Sequence, residues 1–133
     1  MNKLNKENVT GLAALLVHAA KIDEIYTDHE KELVKNFIGS YLKNDDVNET
    51  LKKAEEIENN SNQLLYFTNI IKENSTNIKK DIIEHLWKVI ISDKNIDQYE
   101  SNLMRRICGL IYFSDKECAE IKLKLVNSKW HIS

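Results

Sequence analysis

Two acidic octads carry the side chains best suited to chemistry. They are Asp23-Glu24-Ile25-Tyr26-Thr27-Asp28-His29-Glu30 and, seventy residues on, Asp93-Lys94-Asn95-Ile96-Asp97-Gln98-Tyr99-Glu100. In each, a glutamate stands seven residues after an aspartate, with further carboxylates (Glu24 and Asp28 in one, Asp97 in the other) crowding the turn. Carboxylate oxygens are the ligands that hard divalent cations take. Asp23 and Asp93 end a helical pattern, where the helix dipole disfavours negative charge, so each calls for a donor or a cation. Thr27 with Glu30, and Asp97 with Glu100, have a second reading as capping boxes, in which the cap side chain and the glutamate satisfy each other's backbone N–H. The spacing is not that of an EF-hand, which needs oxygens at positions 1, 3 and 5, Gly at 6 and Glu at 12.

Other chemistry is scarce. There is no His-Glu-x-x-His, since His29-Glu30 runs into Lys31-Glu32-Leu33, and no Glu-x-x-His pair for a di-iron bundle. The three glycines are scattered, so no phosphate loop or nucleophile elbow is present. His18 and His85 fall inside helical patterns and read as structural histidines. Cys108 and Cys118 lack zinc spacing and sit among apolar residues, where a thiol acts as a small hydrophobe. No nucleophile–base pair can be named, so the chain reads as a non-enzyme.

Helices must position the octads. Val9, Leu12, Ala13, Leu16 and Ala20 recur at helical spacing over about 7–20, and Leu15, Ala19 and Ile22 widen that stripe into a central helix. A second helix over about 28–42 carries Leu33, Val34, Phe37, Ile38 and Tyr41. Gly39 inside it costs about 1 kcal/mol relative to Ala, a cost that close packing would explain. A third helix from Asn44 or Asp45 to about Glu58 has only a narrow seam, Val47, Leu51, Ala54 and Ile57, and belongs on the surface. Asn59-Asn60-Ser61-Asn62 is a turn. A short fourth helix carries Leu64, Leu65, Phe67, Ile70 and Ile71.

The fifth helix, from Ser75 to about Ser92, is broadly apolar through Ile78, Ile82, Ile83, Leu86, Trp87, Ile90 and Ile91, as a buried counterpart of the first would be. A sixth over about 98–112 presents Leu103, Met104, Ile107, Cys108 and Ile111. Ser114 and Glu117 form a third capping box for a seventh helix ending near Val126. Trp130 and His131 lie in an unassigned tail. The expectation is an all-α bundle of about seven helices in a single domain spanning 1–133. Helix–acidic turn–helix units at about 12–42 and 82–112 make a pseudo-twofold internal repeat in it.

Composition supports this. The 42% hydrophobic and 30% charged fractions are those of a soluble globular chain. With 133 residues it buries roughly two thirds of its unfolded surface. A net charge of −2 gives no basic patch for nucleic acid. Absent proline and three glycines argue against hairpin-rich β folds. No apolar run reaches the length of a membrane span and no secretory leader begins the chain, so a reduced cytoplasmic setting is expected.

Taken together, Ala19-Ala20-Lys21-Ile22-Asp23 … Glu30, then Gln63-Leu64-Leu65-Tyr66-Phe67-Thr68, then His85–Asp93 … Tyr99-Glu100 with Leu103-Met104-Arg105-Arg106, resemble the tellurite-resistance TerB-like family over about Leu12 to Leu125. The resemblance implies a helical, non-enzymatic module with a divalent-cation site at Asp23, Glu30, Asp93 and Glu100. It also implies an accessory role in metal, tellurite or envelope stress, and protein partners in complexes at the inner face of the membrane. The family's glycine after each aspartate is replaced here by Glu24 and Lys94. The alternative is a helical protein-interaction domain whose acidic turns only cap helices, with Trp130 or an apolar strip of the third or last helix as its contact surface.

Overall fold

A computed structural model describes residues 5–21, 26–42, 44–60, 64–91 and 98–127. Among them are seven α-helices and no strand: α1 (Lys6–Ala20), α2 (Asp28–Gly39), α3 (Asn44–Asn60), α4 (Leu64–Lys72), α5 (Thr76–Ile91), α6 (Gln98–Leu110) and α7 (Asp115–Val126). The Val89-Ile90-Ile91 run completes α5 as helix.

The central helix is α1. Every residue from Val9 to Val17 is buried, as are Ala19 and Ala20, because α2, α3, α4 and α5 all pack on it. Its small residues permit this. A methyl group built on Gly11 would come within 2.5 Å of Ile70 Cδ1, so a side chain there would require the tip of Ile70 on α4 to shift. The start of α1 is capped by Asn5, whose side chain accepts from the Asn8 N–H at 2.7 Å.

The second hub, α5, buries Ile82, Ile83, Leu86 and Ile90 and packs on α1, α2 and α7. Its link to α2 is Phe37, fully buried, whose ring lies 5.3 Å from Tyr41 and 5.1 Å edge-on from His85. On α3, Leu51 and Ala54 are buried while Val47 and Ile57 are half-buried, as the narrow seam predicts; Thr50 joins them, fully enclosed.

The proposed twofold correspondence is not reproduced in the helix–helix contacts of the described residues. While α2 packs on α1, α3 and α5, α6 packs mainly on α4 and α7. The two units share their order along the chain and differ in their neighbours.

Two helix ends fall earlier than their apolar pattern. At the end of α2 the Ser40 hydroxyl donates to the Phe37 carbonyl at 2.7 Å, and Tyr41 and Leu42 follow as a turn. A Schellman motif closes α6: Phe113 N–H bonds the Cys108 carbonyl at 2.9 Å and Tyr112 N–H the Gly109 carbonyl at 3.4 Å. That motif puts Tyr112 at φ 59°, a left-handed conformation unusual for a residue with a side chain.

Close packing does not explain Gly39, because its nearest would-be neighbour is Val47 Cγ2 at 3.9 Å, an ordinary contact. Gly39→Ala is therefore expected to stabilise the fold by about 0.5 kcal/mol, through higher helix propensity near an exposed helix end. A urea midpoint that falls instead would show that the glycine serves a purpose the packing does not reveal.

Candidate functional site

The first acidic turn runs from the end of α1 to the start of α2, and Thr27 and Glu30 organise its described part. Thr27 is the N-cap, with extended backbone, and its hydroxyl accepts from the Glu30 N–H at 3.1 Å. Glu30 Oε1 accepts in return from the Thr27 N–H at 2.8 Å and the Thr27 hydroxyl at 3.2 Å. Both halves of the capping box expected from Thr27-x-x-Glu30 are formed.

Glu30 is more than a surface cap. Its relative exposure is 0%, which makes it the one buried charged residue among those described. The Ser114 box contrasts with it. Ser114 accepts from the Glu117 N–H at 3.3 Å, but Glu117 is exposed, and only that half of the box is formed. Capping by itself does not require the carboxylate to leave water.

Beside this box stands a cluster that sequence reasoning missed, gathered on Tyr26 and on the charged face of α3. Tyr26 donates its hydroxyl to Glu55 Oε2 at 2.8 Å. Lys21, the C-cap of α1, reaches Glu58 Oε1 at 2.9 Å, and His18 Nδ1 lies 3.4 Å from Glu58 Oε2. The Lys21 and Lys31 ammonium groups lie 5.9 and 5.3 Å from the Tyr26 ring centre. Glu58 keeps only 11% of its side-chain surface, so a position that reads as solvated is a packed anion. The available signal was the i, i+3 pair Glu55–Glu58 flanking the Ala54–Ile57 seam, which turns both carboxylates toward α1.

The two inner histidines are held by protein groups, as expected of structural residues. His18 has Glu58, and His85 Nδ1 lies 2.8 Å from the Asp81 carbonyl oxygen. Asp81 also accepts from the Tyr41 hydroxyl at 2.6 Å. A cleft of about 470 Å³ opens beside it between α5 and α7, lined by Lys80, Asp81 and Glu84 on one wall and Ile121, Lys124 and Leu125 on the other.

Of the four residues expected as cation ligands, Glu30 lies in the described part of the turn, as the partner of Thr27 in the capping box. Asp23 and Asp93 lie outside the described residues, as do Glu24 and Lys94. Glu100 stands in the first turn of α6 with its side chain outside the described set, and the Asp97 cap and Trp130 fall outside it as well. Among the described residues, no three His, Cys, Asp or Glu side chains are grouped to hold a metal ion. Nor is any helix among them long and apolar enough to cross a membrane.

The carboxylates of this region act on Tyr26. Burial pushes its phenol well above the ordinary range, and the bond to Glu55 with the charges of Glu55, Glu30 and Glu58 adds to the effect. Burial and then Asp81 push Tyr41 upward likewise. Unfolded tyrosine ionises near pH 10, whereas the folded protein keeps both phenols neutral beyond that. Their contribution is thus fully present below about pH 10 and is lost as pH rises above it. In urea titrations at about pH 8 and about pH 11, the wild-type midpoint is expected to fall more steeply than that of Tyr26→Phe/Tyr41→Phe. Equal slopes would contradict the assignment.

A family model described as Tellurite resistance protein TerB matches residues 10–123. Neither a curated protein nor a solved structure matches the chain. The match takes in all of α2 to α6, most of α1 and of α7 and both acidic turns, and on that coverage the chain belongs to the TerB family.

Proposed function

We propose that this TerB-family chain is a single non-enzymatic helical module that binds a divalent cation at its acidic turns and serves an accessory role in tellurite, metal or envelope stress. One observation carries this reading: Glu30 is fully enclosed, although the capping it performs does not demand enclosure. A carboxylate removed from water keeps its charge where donors or a cation surround it. Thr27 supplies two donors to Glu30 Oε1, and carboxylate oxygens are the ligands that hard divalent cations take. With Glu30, Asp23 completes a donor set at the first turn, and Asp93 with Glu100 forms its counterpart at the second. The ion supplies charge neutralisation and pins the end of one helix to the start of the next; no reaction is assigned to it. Protein partners at the inner face of the membrane, in a cytoplasmic setting, belong to the same proposal.

Glu30→Gln separates charge from capping, because glutamine also serves at the third position of a capping box. Thermal unfolding with added Ca²⁺, Mn²⁺ or Zn²⁺ is expected to raise the wild-type midpoint. A cation at about a hundred times its Kd adds roughly 2.7 kcal/mol. Glu30→Gln and the Asp23→Asn/Asp93→Asn pair should lose that rise while keeping a near-wild-type midpoint without cation. No rise in the wild type, or an equal rise in the variants, removes the cation.

The completed Thr27–Glu30 box favours a second reading, in which the turns only cap helices and the module works through a surface. Leu123, 56% exposed on α7, is the apolar side chain such a surface would use. EDTA-insensitive partner binding that Leu123→Glu abolishes would support it.

A further inference from the structure

The first acidic turn is tied to α3 at both ends, by residues other than its expected cation ligands. At the near end, the Lys21 ammonium donates to Glu58 Oε1 at 2.9 Å and to Asn59 Oδ1 at 3.2 Å. His18, one turn earlier on α1, lies 3.4 Å from the other Glu58 oxygen. At the far end, Tyr26 donates its hydroxyl to Glu55 Oε2 at 2.8 Å, one residue ahead of the Thr27 cap. The helix that receives these bonds is itself fixed, because α3 packs on both α1 and α2 and buries Leu51 and Ala54.

The second acidic octad has no residues that could repeat these bonds from the same places. Seventy positions on, Lys21 is replaced by Ile91 and Tyr26 by Ile96, and the places of Glu55 and Glu58 fall on Leu125 and Ser128. An isoleucine or leucine side chain neither donates nor accepts a hydrogen bond. The two turns are alike in their carboxylates and unlike in what holds them.

We propose, resting on the cation reading above, that Tyr26, Glu55, Lys21 and Glu58 are positioning residues that make the first acidic turn the tighter of the two cation sites. Two effects work in that direction. A turn already fixed at both ends loses less freedom when its carboxylates close on an ion, so more of the interaction appears as affinity. The other effect is charge. Lys21 stands two residues from Asp23 along the chain, and Glu58 engages an ammonium group that would otherwise compete with a cation for the carboxylates of the turn. The Tyr26 ring takes up positive charge as well, with the Lys21 and Lys31 ammonium groups 5.9 and 5.3 Å from its centre.

The test is a Mn²⁺ titration of the ¹⁵N-labelled full chain, with the amide signals of Thr27–Glu30 and those near Glu100 followed separately. The first turn should reach half-broadening at roughly a tenth of the Mn²⁺ concentration that the second requires, the usual scale for groups that hold ligands without touching the ion. Tyr26→Phe keeps the ring and loses the bond to Glu55, and Glu58→Gln removes the charge that neutralises Lys21. Each should raise the first-turn midpoint toward that of the second and leave the second where it was. A general loss of stability would move both turns together, so the ratio of the two midpoints within one sample is the readout. Equal midpoints in the wild type, or a ratio unchanged in both variants, would overturn this inference and leave the cation reading standing. Broadening in the wild type that favours neither turn over exposed carboxylates such as Glu49 removes the cation reading, and this inference with it. Should a variant fail to fold, the wild-type ratio decides alone.

Discussion

Phe37→Ala is expected to cost about 3–5 kcal/mol, the range for removing a large buried aromatic from a core that cannot collapse around the gap. The cost should be high here because Phe37 is shared by two helices. It is fully buried on α2 and meets the His85 ring of α5 edge-on, with Tyr41, in the turn that follows α2, as its second aromatic neighbour. Both partners are fixed by further bonds, since Tyr41 donates to Asp81 and His85 Nδ1 lies against the Asp81 carbonyl. Neither can swing into the space vacated. Against a total stability of roughly 5–15 kcal/mol for a native protein, the variant should be close to unfolding at physiological temperature. Phe37→Leu, which keeps most of the volume, should lose about 1–2 kcal/mol. Urea denaturation checks both, and a loss under about 1 kcal/mol for the alanine variant would mean that α2 and α5 are not coupled through this ring.

The second large effect is at the acidic turn. Glu30→Ala removes the acceptor of the Thr27 N–H and hydroxyl and leaves a hole in an enclosed site. Loss of a cap costs about 1 kcal/mol, and leaving part-buried donors without an acceptor adds about 1–3 kcal/mol. A total of roughly 2–4 kcal/mol is expected. Glu30→Gln keeps an acceptor oxygen at the same place and should lose far less, as should Thr27→Ala at about 1 kcal/mol. If alanine and glutamine cost the same, the carboxylate's negative charge, and not its capping oxygen, holds the turn. If neither costs anything measurable, Glu30 does not hold the turn.

Much of this arrangement was legible from the residues alone, where local chemistry fixed the outcome. Ser114 marks the start of α7 and the Thr27–Glu30 pair marks the start of α2, because a cap is a contact between residues three apart. The breadth of the apolar stripe on α1 identifies it as central for the same kind of reason, since a helix buried on every side needs apolar or small residues all round. What depended on helix rotation was not legible. Glu55 and Glu58 sit on a helix whose seam is narrow, and only the docking of α3 on α1 shows that these carboxylates face Tyr26, Lys21 and His18. The end of α6 was hidden differently, because Tyr112 fills a left-handed position usually marked by glycine or asparagine. The cysteines read as small hydrophobes by sequence, and the bond that Cys118 accepts from the Trp87 indole required the docking of α7 on α5.

The most direct measurement is the mapping of Mn²⁺ on the ¹⁵N-labelled chain by paramagnetic broadening of backbone amide signals. An ion held by Glu30 and its counterpart should erase signals around Thr27–Glu30 first, then those at the start of α6 near Glu100, at concentrations that leave exposed carboxylates such as Glu49 and Glu120 untouched. Broadening that begins at those exposed side chains, or that spreads evenly over the surface, would contradict the account.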